Sequence, residues 1–88
     1  MQLEPLLRID RRLDARGLLC PEPVFRVRSE IRNMRSGELL EVLADDPLAE
    51  LDLRVFCERF GHQLSKSEPF QDARRFLIRI APVGAPDS

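Results

Sequence analysis

The sequence contains no tryptophan and no tyrosine, and five phenylalanines are its only aromatic residues. Proteins that grip single-stranded nucleic acid stack bases on aromatic side chains along a basic groove. A formal net charge of −1 supplies no basic excess either, so direct nucleic-acid binding is not expected. Cysteine is equally scarce. Cys20 and Cys57 are too few and too far apart for a disulfide framework, and with His62 as the single histidine they cannot complete a zinc site. Neither a metal nor an organic cofactor is expected. No apolar run approaches the length that spans a bilayer, and Met1-Gln2-Leu3-Glu4-Pro5 lacks the basic start and apolar stretch of a signal peptide. The expected compartment is the cytoplasm, where both thiols stay reduced, with no membrane partner.

What is present reads as one domain over residues 1–88, with a core from about 7 to 81 and a frayed tail from Pro82 to Ser88. Leu7, Ile9, Arg11 and Leu13 alternate with charged residues in a strand rhythm, which Ala15-Arg16-Gly17 ends. From Pro21 the period changes: Val24, Val27, Ile31 and Met34 form one stripe of an amphipathic helix, with Gly37 as its stop. Leu40, Val42 and Ala44 alternate again. Asp45-Asp46-Pro47 predicts a second helix start, with Asp46 as cap and Pro47 in the first helical position. Ala49, Leu53, Phe56, Cys57 and Phe60 line one face of that helix, and Gly61 ends it. His62 to Ser67 is a weak third strand, Pro69 to Arg74 a hairpin loop, and Arg75 to Ala81 a fourth strand with Phe76, Ile78 and Ile80 on one side. The fold expected is an α/β two-layer sandwich, strand-helix-strand-helix-strand-strand, with both helices on one face of a mixed four-stranded sheet.

Gly17-Leu18-Leu19-Cys20-Pro21-Glu22-Pro23 carries most of the functional signal. Cys20 falls where a helix cap belongs, and Pro21 suits the first helical position because its missing N–H has no helical partner there anyway. Pro23 is tolerated in the same turn, leaving the amides of Glu22 and Val24 as free donors near the sulfur. A thiol in that place feels the positive end of the helix dipole, which favours the thiolate, the form that attacks and leaves in sulfur exchange. Glu22 opposes this effect, and Arg16 and Arg26 are placed to offset it. The expectation is an accessible, activated Cys20. An isolated cysteine is more commonly a small buried apolar residue; the prolines and the Gly17 turn favour exposure here, whereas Cys57 lies on the apolar stripe and is expected in the core. Gly17 reads as a conformational glycine, Asp14 as a turn-forming aspartate and His62 as structural.

Leu13-Asp14-x-x-Gly17-Leu18-x-Cys20-Pro21-x-Pro23 resembles the signature of the TusA (SirA-like) sulfur-carrier family. The likeness continues through Arg28, Asn33-Met34, Gly37-Glu38, Ala44-Asp45-Asp46-Pro47, Asp52, Phe56-Cys57, Gly61-His62 and Leu64. Ser29 departs from it, standing where many members carry lysine. The resemblance implies a sandwich like the C-terminal domain of translation initiation factor 3. It also implies that Cys20 receives sulfane sulfur as a persulfide from a cysteine desulfurase or rhodanese-like donor and passes it to a DsrE-like or other acceptor. The end use in such relays is tRNA wobble-uridine 2-thiolation, molybdenum-cofactor maturation or sulfur oxidation. Arg16, Arg26 and Arg28 are candidate docking residues on a monomeric carrier. Two other classes stay open at this level: a thiol redox or peroxide-sensing module, for which Cys57 would have to resolve Cys20, and a non-catalytic binding module.

Overall fold

The computed structural model describes residues 8–81. Its elements run β1 (Arg11–Asp14), α1 (Glu22–Ile31), β2 (Leu39–Ala44), α2 (Ala49–Phe60), β3 (Gln63–Phe70) and β4 (Ala73–Arg79). The strands form one mixed sheet in the order β1-β2-β4-β3. β1 runs parallel to β2, while β4 is antiparallel to both β2 and β3. The parallel pair needs a crossover, which α1 supplies. Both helices lend side chains to a single core, Val27 from α1 and Ala49, Leu53, Phe56 and Cys57 from α2, against Leu40, Val42, Phe76 and Ile78 of the sheet. This is the expected two-layer architecture. Among the described residues no helix is long and apolar enough to cross a membrane.

The opposite sheet face carries a row of alternating charge, one residue per strand. Arg12 of β1 pairs with Glu41 of β2 at 2.9 Å, and Arg75 of β4 bridges Glu41 at 2.5 Å and Glu68 of β3 at 2.6 Å. Opposite charges on adjacent strands attract across the ladder and stabilise this face, on which Leu39 and Leu77 are also buried.

Several boundaries differ from expectation for local reasons. In β1, Arg11 is exposed and Leu13 buried, and Leu7 lies outside the described residues. α1 stops at Ile31, before Met34 and Gly37: Asn33 and Met34 donate to carbonyls three residues back, tightening the last turn, yet Met34 still packs on the core. Gly37 instead turns the chain into β2, donating its N–H to the Ile80 carbonyl. α2 begins at Ala49, not Pro47, because Asp46 accepts the Leu48 N–H in a turn ahead of the helix. Gly61 does end it, with φ of 79° and its N–H on the Cys57 carbonyl. The expected Pro69–Arg74 loop is strand: Pro69 pairs with Arg74 and Phe70 with Ala73, leaving a two-residue turn at Gln71-Asp72. β3 is an edge strand, so a proline without an N–H is accommodated. A register shift between Leu64 and Lys66 further blurs the alternation of β3.

Candidate functional site

Cys20 lies in the loop between β1 and α1, which the β2–α2 loop holds from the side. Gly17 leaves β1 with φ of 84°, and its N–H donates to Asp45 Oδ1 at 3.0 Å. The Cys20 N–H donates to Asp46 Oδ2 at 2.8 Å, while Asp46 Oδ1 accepts the Leu48 N–H at 2.7 Å. Asp45 and Asp46 are therefore clasps on the cysteine loop rather than a cap on α2. Two charge-assisted bonds from backbone amides hold the Asp46 carboxyl below its ordinary pKa.

The helix-cap expectation for Cys20 is corrected by one residue. Pro21 is the cap, Glu22 the first helical residue and Pro23, fully buried, the second; the Cys20–Pro21 peptide is cis. The amides of Glu22 and Val24 are not free, since they donate to the carbonyls of Leu19 and Pro21. The sulfur itself is in contact with α2. Cys20 Sγ donates to Asp52 Oδ2 at 2.7 Å, from 32 residues away in the chain. The carboxylate beside the sulfur is Asp52, not Glu22. That hydrogen bond, with partial burial and the charges of Asp52 and Asp46, pushes the thiol pKa up, opposite to the expected activation. Cys20 rests as a hydrogen-bonded thiol.

The anticipated arginine offset is also absent. Arg16 is committed to Asp14, its guanidinium at 2.9 and 2.8 Å from the two carboxylate oxygens and its N–H at 3.1 Å. The pairing holds Asp14 down to about 2 and makes it an arginine-locked turn rather than a prop for Cys20. Arg26 is exposed on α1 outside the cysteine groove. Arg28, in contrast, lines that groove, 6.0 Å over the Phe60 ring.

The groove, about 620 Å³, opens between α1 and α2 with Cys20 and Asp52 on its wall. Leu51 and Val55, 60% and 54% exposed, give it an apolar lining, and Arg59 joins Arg28 over Phe60 at 5.7 Å. Exposed aliphatics beside arginines that stack on an aromatic ring suit protein recognition, where arginine and large apolar groups carry much of the affinity. Leu51, Val55 and Arg59 belong to no motif in the sequence. They lie on the outer face of α2, where an apolar residue at i and i+4 is the available signal. Asp52 was legible only as a family-matching residue. It lies three after Ala49 and four before Phe56, a carboxylate set on the margin of an apolar stripe.

The remaining candidates are structural. Cys57 is 2% exposed within the core, and burial raises its thiol to about 12. His62 Nδ1 accepts the Ala81 N–H at 2.9 Å, and its ring lies 5.5 Å from Phe56; burial holds its pKa down. Among the described residues no group of three or more His, Cys, Asp or Glu side chains could hold a metal ion.

The family model for sulfurtransferase TusA matches residues 11–80, from β1 to the residue after β4. The chain belongs to the TusA family. A crystal structure of a SirA-like protein from Desulfitobacterium hafniense is similar to this TusA-family chain, with a TM-score of 0.70 and 25% sequence identity over 81% of this chain and 97% of that one. Membership supports a sulfur-carrier role in general terms, in which sulfur is relayed between proteins.

Proposed function

We propose that this protein carries sulfane sulfur as a persulfide on Cys20, taking it from a donor protein's persulfide and yielding it to an acceptor thiol. The observation that carries the reading is the contrast in access between the two thiols. Cys20 is half-buried on the wall of an open groove, whereas Cys57 is sealed in the core. Sulfur relay needs an accessible sulfur and a surface on which partners dock, and no deep cavity. A cysteine desulfurase or rhodanese-like protein is the proposed donor and a DsrE-like protein or another cysteine protein the acceptor. Docking falls on Arg28, Arg59, Leu51 and Val55 rather than on Arg16 or Arg26. A monomer acting in the cytoplasm, where free thiols persist, fits this role, and tRNA thiolation is the proposed end use. A redox cycle has less support, because a resolving Cys57 would have to leave the core first.

Incubation with a cysteine desulfurase and free cysteine, followed by intact-mass measurement with and without reductant, tests the reading. The expected result is a reductant-labile gain of one sulfur atom, lost in Cys20→Ala and kept in Cys57→Ala. A gain that survives in Cys20→Ala, or an intramolecular disulfide in place of a gain, contradicts it.

A further inference from the structure

A persulfide carrier has a proton problem: its cysteine must attack as thiolate, yet Cys20 rests as a thiol. The proton has one short path. The Sγ–H points at Asp52 Oδ2, 2.7 Å away, in the first turn of α2, and the Cys20 N–H bond to Asp46 tethers the cysteine loop beside that turn. Asp52 lines the same groove as Cys20, so it stands where an incoming donor sulfur would arrive. The other charged groups facing this spot are Asp46 from the β2–α2 loop, Arg28 from α1 and Arg59 from the last turn of α2.

We propose that Asp52 is a catalytic residue, accepting the Cys20 proton as sulfur is loaded and returning a proton to Cys20 as sulfur is released. This role rests on Cys20 being the persulfide site. In loading, Cys20 Sγ attacks the terminal sulfur of a donor persulfide. A new S–S bond forms at Cys20, the donor S–S bond breaks, and the donor leaves as a thiolate with that electron pair. The Cys20 proton passes to the Asp52 carboxylate, and nothing is oxidised or reduced overall. In release, an acceptor thiolate attacks the terminal sulfur of the Cys20 persulfide, and the departing Cys20 sulfur takes the electron pair and a proton from Asp52. The resting hydrogen bond is thereby restored. A base in direct contact removes the need for a standing thiolate, so Cys20 stays quiet toward oxidants and alkylating agents between encounters.

The test uses glutathione persulfide as donor, which bypasses any protein docking surface, and a Cys57→Ala background in which a single thiol titrates. Thiolate absorbance and loading rate are followed against pH for Asp52, Asp52→Asn and Asp52→Glu. The Asn variant should form thiolate at lower pH, because the opposing charge is gone. It should nevertheless load about tenfold or more slowly at neutral pH, as expected when a general base is removed. Its rate should climb with thiolate fraction instead of staying flat, and Glu should restore most of the loss. A purely structural or purely electrostatic Asp52 cannot move thiolate and rate in opposite directions. An Asn variant that loads as fast as its parent, or whose thiol titrates unchanged, overturns the role of Asp52. A parent that takes up no sulfur at all overturns the carrier reading beneath it, while the titration still reports on the Asp52 contact.

Discussion

The two cysteines are silenced by different physics. Around Cys57 the cause is the core itself: Phe56, Leu53 and the sheet exclude water, and a thiolate there would lack solvation. Around Cys20 the largest cause is one hydrogen bond to one carboxylate at the wall of an open groove. The first restraint yields only to unfolding. The second yields to a proton transfer or to a partner that rearranges a few side chains. A raised thiol pKa is thus not evidence of inertness; what raises it decides whether the sulfur can be used.

The groove offers the largest expected effect on that contrast. Val55→Asp places a charge on its apolar lining and should weaken loading from a protein donor by about tenfold or more, the scale of an interface hot spot. Loading from glutathione persulfide should stay unchanged, and a parallel fall in both would show that Val55 supports the fold instead.

Alkaline pH should unsettle the Cys57 region next. The folded state holds the Cys57 proton to about 12, against 9.0 for an ordinary thiol. Between those values the unfolded chain binds fewer protons, so stability falls as pH rises, by about 1.4 kcal/mol per pH unit at most. Denaturant titrations at pH 9 and 10.5 should show the loss in the parent and a much flatter response in Cys57→Ala.

Much of this was legible in the sequence. The stripes of α1 and α2 and the alternation of β2 and β4 predict element type because each buries one face on a shared core. β3 was weaker, since its bulge at Ser65 and its Pro69 break the rhythm that marks a strand. Helix starts shifted by one residue in α1 and two in α2 because their expected capping partners, Cys20 and Asp46, bond to each other across two loops. Cys20-Pro21-x-Pro23 singled out in the sequence the cysteine that lies on the groove wall. The sign of its electrostatics was not. It depends on Asp52, which only the packing of α2 against the cysteine loop brings to the sulfur.

A smaller effect belongs to Cys57→Ser, which replaces a weakly polar group in the core by a hydroxyl that needs a partner. It should cost about 1–3 kcal/mol by chemical denaturation. Cys20→Ser keeps a donor for Asp52 and should be close to neutral in stability. Asp46→Ala should act locally, lowering Tm slightly while freeing the Cys20 and Leu48 amides. Because its carboxyl pKa is depressed on folding, Asp46 contributes stability above the ordinary carboxylate range, and that contribution is lost as pH falls below it. Hydrogen exchange should show the loss confined to the Cys20 loop and the first turn of α2.

The most direct test of the central claim locates the sulfur. Protein loaded by a persulfide donor, digested under non-reducing conditions and mapped by mass spectrometry, should carry one extra sulfur on the peptide containing Cys20 and none on that containing Cys57. A brief chase with an acceptor thiol should then remove it. Extra sulfur on the Cys57 peptide, or a Cys20 sulfur that no thiol can take up, would contradict the account.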